Sequence, residues 1–87
     1  MLRAKVNLNM VTENVIEHGY HVDYQFPHLT AIYYLNTNNG YTKLEDGTKI
    51  ESVANRLVKL PYKTFHTGTT CSNKKFRCVL NLNYLSP

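Results

Sequence analysis

His21-Val22-Asp23 sets an imidazole and a carboxylate two residues apart. In extended backbone, side chains at that spacing point to the same side, so both can reach one ion. His66 stands far downstream, with Arg77 a short turn and strand beyond it. Two histidines and one carboxylate make the facial triad suited to non-haem iron(II), which leaves coordination positions open for a bidentate co-substrate and dioxygen. An Arg on the neighbouring strand offers a rigid cationic fork for a distant carboxylate. An HxD triplet alone arises by chance roughly one time in ten in a chain of this size. The later His and Arg give it weight.

The remaining candidates weigh less. His18 and His28 flank the HxD segment, but spare histidines beside a site more often support it or face solvent than ligate. Two histidines and a carboxylate also suit a zinc site used for hydrolysis or structure, although Arg77 would then have no task. Asp46 reads as a turn residue. Most of the seven tyrosines build core and rim, with Tyr20 and Tyr24 as rim candidates. Cys71 and Cys78 match none of the usual zinc spacings and read as reduced thiols.

These groups must be held by strands. Period-two alternation with Tyr, Val, Ile and Thr dominates, and turn residues separate the short segments, which predicts an all-β domain. In the opening strand Ala4, Val6, Leu8 and Met10 share one face, while Arg3, Lys5, Asn7 and Asn9 share the other, as in a half-buried strand. Leu29 to Asn36 predicts the next strand. Asn38-Asn39-Gly40 then reads as a hairpin turn with positive φ angles, and Asp46-Gly47 repeats the signal. Short strands are expected over Tyr41 to Glu45, Thr48 to Val53 and Asn55 to Leu60, the last ended by Pro61, which lacks an N–H for the ladder. Strands around Thr64 and from Phe76 to Leu85 complete about seven, enough for a sandwich or barrel.

Across nearly its whole length the chain resembles the prolyl-4-hydroxylase type of the 2-oxoglutarate/iron(II) dioxygenase superfamily. The likeness rests on HVD, on LTAIYYLN followed by a Gly-containing turn and Thr42, on NRLVKLP ahead of His66, and on RCVLNLNY. TAIYYLN is especially similar to the corresponding strand of animal oxygen-sensing prolyl hydroxylases. The resemblance implies a double-stranded β-helix, the jelly roll of cupin-like proteins. It implies iron(II) held by His21, Asp23 and His66, with Arg77 and Tyr34 binding the distal carboxylate of 2-oxoglutarate. It further implies a reaction with dioxygen that gives succinate, carbon dioxide and a hydroxylated C–H bond. Thr30 and Ile32 share the face of Tyr34, and Val79, Asn81 and Asn83 share that of Arg77, so these five are expected to line the pocket. Asn7 and Asn9 are weaker candidates for the same wall. By pattern alone the polar face of the last strand would go to solvent. The resemblance reverses that.

Size and composition bound the rest. The 87 residues form a single domain (1–87), and one this small buries only about 60% of its unfolded surface. With 43% hydrophobic and 18% charged residues, it reads as globular. The net charge of +4 is scattered, and without a basic run or recognition helix nucleic acid is not expected as the main partner. No stretch approaches the ~20 apolar residues of a membrane span, nor is there a signal-peptide run. An intracellular, cytoplasmic protein is expected. Few residues precede His21, so the domain reads as a minimal version lacking most N-terminal bracing helices, or as one incomplete at its N-terminus. A bare outer sheet would favour a homodimer or larger assembly. A non-catalytic jelly-roll module for binding or structure is the competing expectation. The substrate, protein or small molecule, is not specified.

Overall fold

A computed structural model describes residues 3–20, 29–61 and 64–85. They form β1 (Arg3–Met10), β2 (Leu29–Tyr34), β3 (Tyr41–Leu44), β4 (Lys49–Glu51), β5 (Leu57–Leu60), β6 (His66–Thr67) and β7 (Phe76–Tyr84), with no helix among the described residues. One antiparallel sheet has the order β1-β7-β2-β5, and a second has the order β4-β3-β6. The segment after β1 runs beside the smaller sheet: Glu17 bridges Thr69, and the His18 N–H donates to the Gly68 carbonyl at 3.0 Å.

Alternation along β7 organises the larger sheet. Arg77, Val79, Asn81 and Asn83 are buried, while Cys78, Leu80, Leu82 and Tyr84 are only half-buried. Registered neighbours share a face, so Asn9 joins Arg77, Asn7 joins Val79, Lys5 joins Asn81 and Arg3 joins Asn83 on one side of β7. On its other side Tyr34, Ile32 and Thr30 stand opposite Val79, Asn81 and Asn83. The inward face of a central strand is therefore mostly polar.

Among the described residues apolar packing is confined to one region. Ile32, Tyr34, Leu60 and Val79 form the buried cluster, with Leu44, Ile50 and Val58 against it. Burying such side chains contributes about 1.5–3 kcal/mol each, and a cluster this small stabilises only part of the interior. Among the described residues eleven buried polar or charged side chains outnumber six buried apolar ones. Something other than hydrocarbon packing shapes the remaining space.

Two expectations need correction. The apolar face of β1 does not enter the core: Val6 and Leu8 are each 59% exposed and Met10 63%, and the polar face turns inward. Register causes this, because the polar residues of β1 oppose the buried residues of β7. Asn39-Gly40 is also not a hairpin turn. β2 and β3 belong to different sheets, and among the described residues positive φ occurs only at Gly47 (93°) and Asn55 (71°). The Asp46-Gly47 turn does close a hairpin, between β3 and β4. There Gly47 supplies the positive φ, and the Asp46 carboxylate accepts from the Thr48 N–H at 2.9 Å. β5 stops at Leu60, directly before Pro61, as the missing N–H requires.

Candidate functional site

Arg77 is 2% exposed. Its Nε donates to Ser52 Oγ at 3.0 Å, Nη1 to the Thr69 carbonyl at 3.3 Å and Nη2 to Thr42 Oγ1 at 3.4 Å. The guanidinium carbon lies 5.8 Å from the centroid of the Tyr34 ring, within range of a cation–π attraction. These three partners are neutral, and among the described residues no carboxylate pairs with it. Burial lowers the pKa of Arg77, opposed by the nearby Tyr34 and Cys71, yet a guanidinium keeps its proton in proteins. A buried cation with only neutral partners is costly, since burying a charge needs both pairing and hydrogen bonds.

Thr42 connects this group to Tyr34. Its Oγ1 accepts from Tyr34 Oη at 2.6 Å as well as from Arg77. With both acceptor sites engaged, the Thr42 hydroxyl proton is left to donate elsewhere. Tyr34 is fully buried, and desolvation raises its pKa, with the Thr42 hydrogen bond and the charges of Arg77 and Arg56 opposing. It therefore stays a neutral phenol across the ordinary pH range. Gly40 makes room for the arrangement. A Cβ there would lie 2.6 Å from Arg77 Cδ, 2.6 Å from the Thr70 carbonyl oxygen and 2.8 Å from Asn38 Oδ1.

Thr42 and Arg77 open onto a cavity of about 700 Å³ between the sheets. Ile32, Val79 and Asn81 line it, as do His18 and His66. Asn7 and Asn9 contribute to its wall, and so do Arg3 and Lys5. Thr30 and Asn83, expected on the same wall, instead bond to one another, Asn83 Nδ2 donating to Thr30 Oγ1 at 3.1 Å. No acidic side chain among the described residues lines the cavity.

His66, at the start of β6, is 4% exposed, and its Nδ1 lies 3.0 Å from the Thr64 carbonyl. A carbonyl only accepts, so Nδ1 carries the hydrogen and the lone pair of the neutral ring sits on Nε2. That tautomer suits a metal ligand whose other ring nitrogen is fixed by a carbonyl. His21 and Asp23, with Tyr24 and His28, fall outside the described residues. Among the described residues no three His, Cys, Asp or Glu side chains gather into a metal-binding group. The donor that is described therefore fits a metal, and the other two are assigned by sequence alone. Tyr20 is 45% exposed. Cys71 and Cys78 are free thiols.

Sequence reading assigned no role to Ser52, Thr69, Arg3 or Lys5, and it took Gly40 for a turn residue. Ser52 and Thr69 gave no signal, being common residues whose importance arises only from contact with Arg77. Arg3 and Lys5 did give one: they alternate in phase with Asn7 and Asn9, so any argument turning those two inward turns the cations inward also.

No protein-family model matches the sequence, and neither a curated protein nor a solved structure matches it.

Proposed function

We propose that the chain is a dioxygenase dependent on iron(II) and 2-oxoglutarate. It would hydroxylate a C–H bond of a peptidyl residue such as proline, or of a small molecule, releasing succinate and carbon dioxide. The observation that carries the reading is Arg77, a buried guanidinium held by neutral oxygens at the edge of a polar cavity. A carboxylate placed there would neutralise it through bidentate, charge-assisted hydrogen bonds. The winding also supports the reading: β2, β5 and β7 in one sheet alternate with β3–β4 and β6 in the other, as in a double-stranded β-helix.

In this reading Arg77 binds the distal carboxylate of 2-oxoglutarate and Thr42 donates its hydroxyl proton to it. Tyr34 holds Thr42 in place and packs against the guanidinium rather than touching the cavity. His66 Nε2, with His21 and Asp23, would hold iron(II), which supplies the dioxygen chemistry that side chains cannot perform. The apolar cluster of Ile32 and Val79 keeps water from the Arg77 end, which strengthens the charge pairing there. The reduced thiols agree with an intracellular, cytoplasmic setting. Anaerobic addition of iron(II) and 2-oxoglutarate should produce a visible charge-transfer band, and aeration should yield succinate. If neither appears in folded protein, the reading is wrong.

The exposed apolar face of β1 favours a second reading, a non-catalytic module that uses its outer sheet to associate with itself or a larger assembly. His66→Ala separates the two. The oxygenase loses turnover with its fold retained, and the module keeps its role.

A further inference from the structure

The outer face of the larger sheet is apolar across all four strands. Registered residues share a face, so Ala4, Leu82, Ala31 and Lys59 form one row across β1, β7, β2 and β5. Val6, Leu80, Tyr33 and Leu57 form the next row. Leu8 beside Cys78 and Met10 beside Phe76 extend the same face along β1 and β7. Lys59 is the one charged side chain among these residues. The rest of the fold does not hide the apolar ones: Leu57 is 50% and Phe76 42% exposed, in addition to Val6, Leu8 and Met10. With strands of 8, 9, 6 and 4 residues, at about 3.3 Å per residue and about 4.8 Å apart, the face measures roughly 430 Å² in projection. A monomer rarely leaves a contiguous apolar patch of more than a few hundred Å² to water.

We propose that a second copy of the chain covers this face, the two sheets packing as a β-sandwich about a two-fold axis parallel to the strands. Accessible area over standing side chains exceeds the projected area, so two such faces bury about 1,000 Å² or more together, the level a stable interface needs. A helix, about 10 Å across, would cover only two of the four strands. A second copy matches the full width and carries the same twist, as two sheets packed face to face at about 30° require. The chosen axis stacks β1 of one copy over β5 of the other, so Val6 meets Leu57 and Ala4 meets Lys59. The single methyl of Ala4 leaves room for the lysine stem to lie flat while its ammonium reaches the rim. An axis across the strands would instead stack β5 on β5 and bring the two Lys59 charges together. The contact is the same patch on both copies and closes on itself, so assembly stops at two. This goes beyond both readings above, because the face lies on the opposite side of the sheet from the cavity and is exposed whether or not the site is catalytic.

Sedimentation equilibrium of the full chain over a concentration series tests this, and the wild type should be a dimer. Val6→Lys and Leu57→Lys place a charge at positions exposed in the single copy. Each should keep the wild-type circular dichroism spectrum yet weaken dimerisation about 100-fold or more, equivalent to ~2.8 kcal/mol. Ile16→Lys, at a position 52% exposed on the segment beside the smaller sheet, should dimerise like the wild type. Charge rescue reads the stacking of β1 over β5. Val6→Lys combined with Leu57→Glu in one chain should dimerise about ten-fold more tightly than Val6→Lys alone, since each new cation then faces a carboxylate of the other copy. A monomer at every concentration, association beyond two, or a Val6→Lys dimer as tight as the wild type would overturn the proposal, and absent rescue would overturn the axis. Binding of 2-oxoglutarate, measured on the same samples, should be equal in the wild type and Leu57→Lys. Its absence from both would sink the oxygenase reading and leave the dimer standing.

Discussion

Gly40→Ala tests whether Gly40 is required by space or by turn geometry. Its φ lies outside the left-handed region, so alanine is not strained by conformation and should stiffen the unfolded chain, a gain of about 0.4–1 kcal/mol. The new methyl, however, would sit 2.6 Å from both Arg77 Cδ and the Thr70 carbonyl oxygen. Arg77 could shift, but the carbonyl belongs to backbone, and overpacking of this kind typically costs about 1–3 kcal/mol. The net is a destabilisation of about 1–2 kcal/mol, or a fall in Tm of roughly 5–15 °C for a domain of this size. Displacing the guanidinium should also weaken 2-oxoglutarate. Gly19→Ala is the control, since a Cβ there would have nothing within 4 Å. Thermal unfolding of the three proteins, with 2-oxoglutarate titrations, reads both effects. A Gly40→Ala protein as stable and as tightly binding as Gly19→Ala would refute the packing argument.

Arg77→Met should raise or preserve the stability of the ligand-free protein, because an apolar side chain replaces an unpaired buried charge. The same change should weaken 2-oxoglutarate by about 2–5 kcal/mol, and calorimetry with thermal melts checks both signs together. Leu60→Ala, in the small buried cluster, should cost about 2–4 kcal/mol and leave a large unfolded fraction by circular dichroism. Asp46 titrates below its ordinary value because the Thr48 N–H, and then the Thr48 hydroxyl, bond its carboxylate. Its stabilising contribution is thus complete above the unfolded pKa of about 3.9 and is lost as the pH falls through the lower folded value. Urea midpoints of wild type and Asp46→Asn should therefore converge as the pH is lowered through the carboxylate range.

Much of the strand plan was legible because alternation and turn chemistry are local. Pro61 stops β5 and Gly47 turns the β3–β4 hairpin for reasons contained in a few residues. Asn39-Gly40 misled because the same dipeptide that favours a hairpin also serves where backbone must pass close to a side chain, here Arg77. Alternation could not say which face of β1 points inward. That choice is made by register with β7, whose own polar face is buried. Around Arg77 the sequence pointed to the cation and to Tyr34, but Thr42, Ser52 and Thr69 meet it from three separate stretches of chain. Their convergence is a tertiary fact with no local trace.

β7 follows every other strand in the sequence, yet it lies between β1 and β2. Among the described strands, β1 has no partner until β7 docks, and β2 pairs only with β5. The larger sheet therefore closes by inserting its final strand into a gap flanked by two open edges, a step dominated by contacts distant in sequence. Such topologies fold slowly and leave sticky edges exposed meanwhile. The strand bearing Arg77 and Asn81 is also the one that joins the sheet. A chain that has failed to assemble its cavity has, by the same failure, not finished folding, and would be open to proteolysis for want of a single strand.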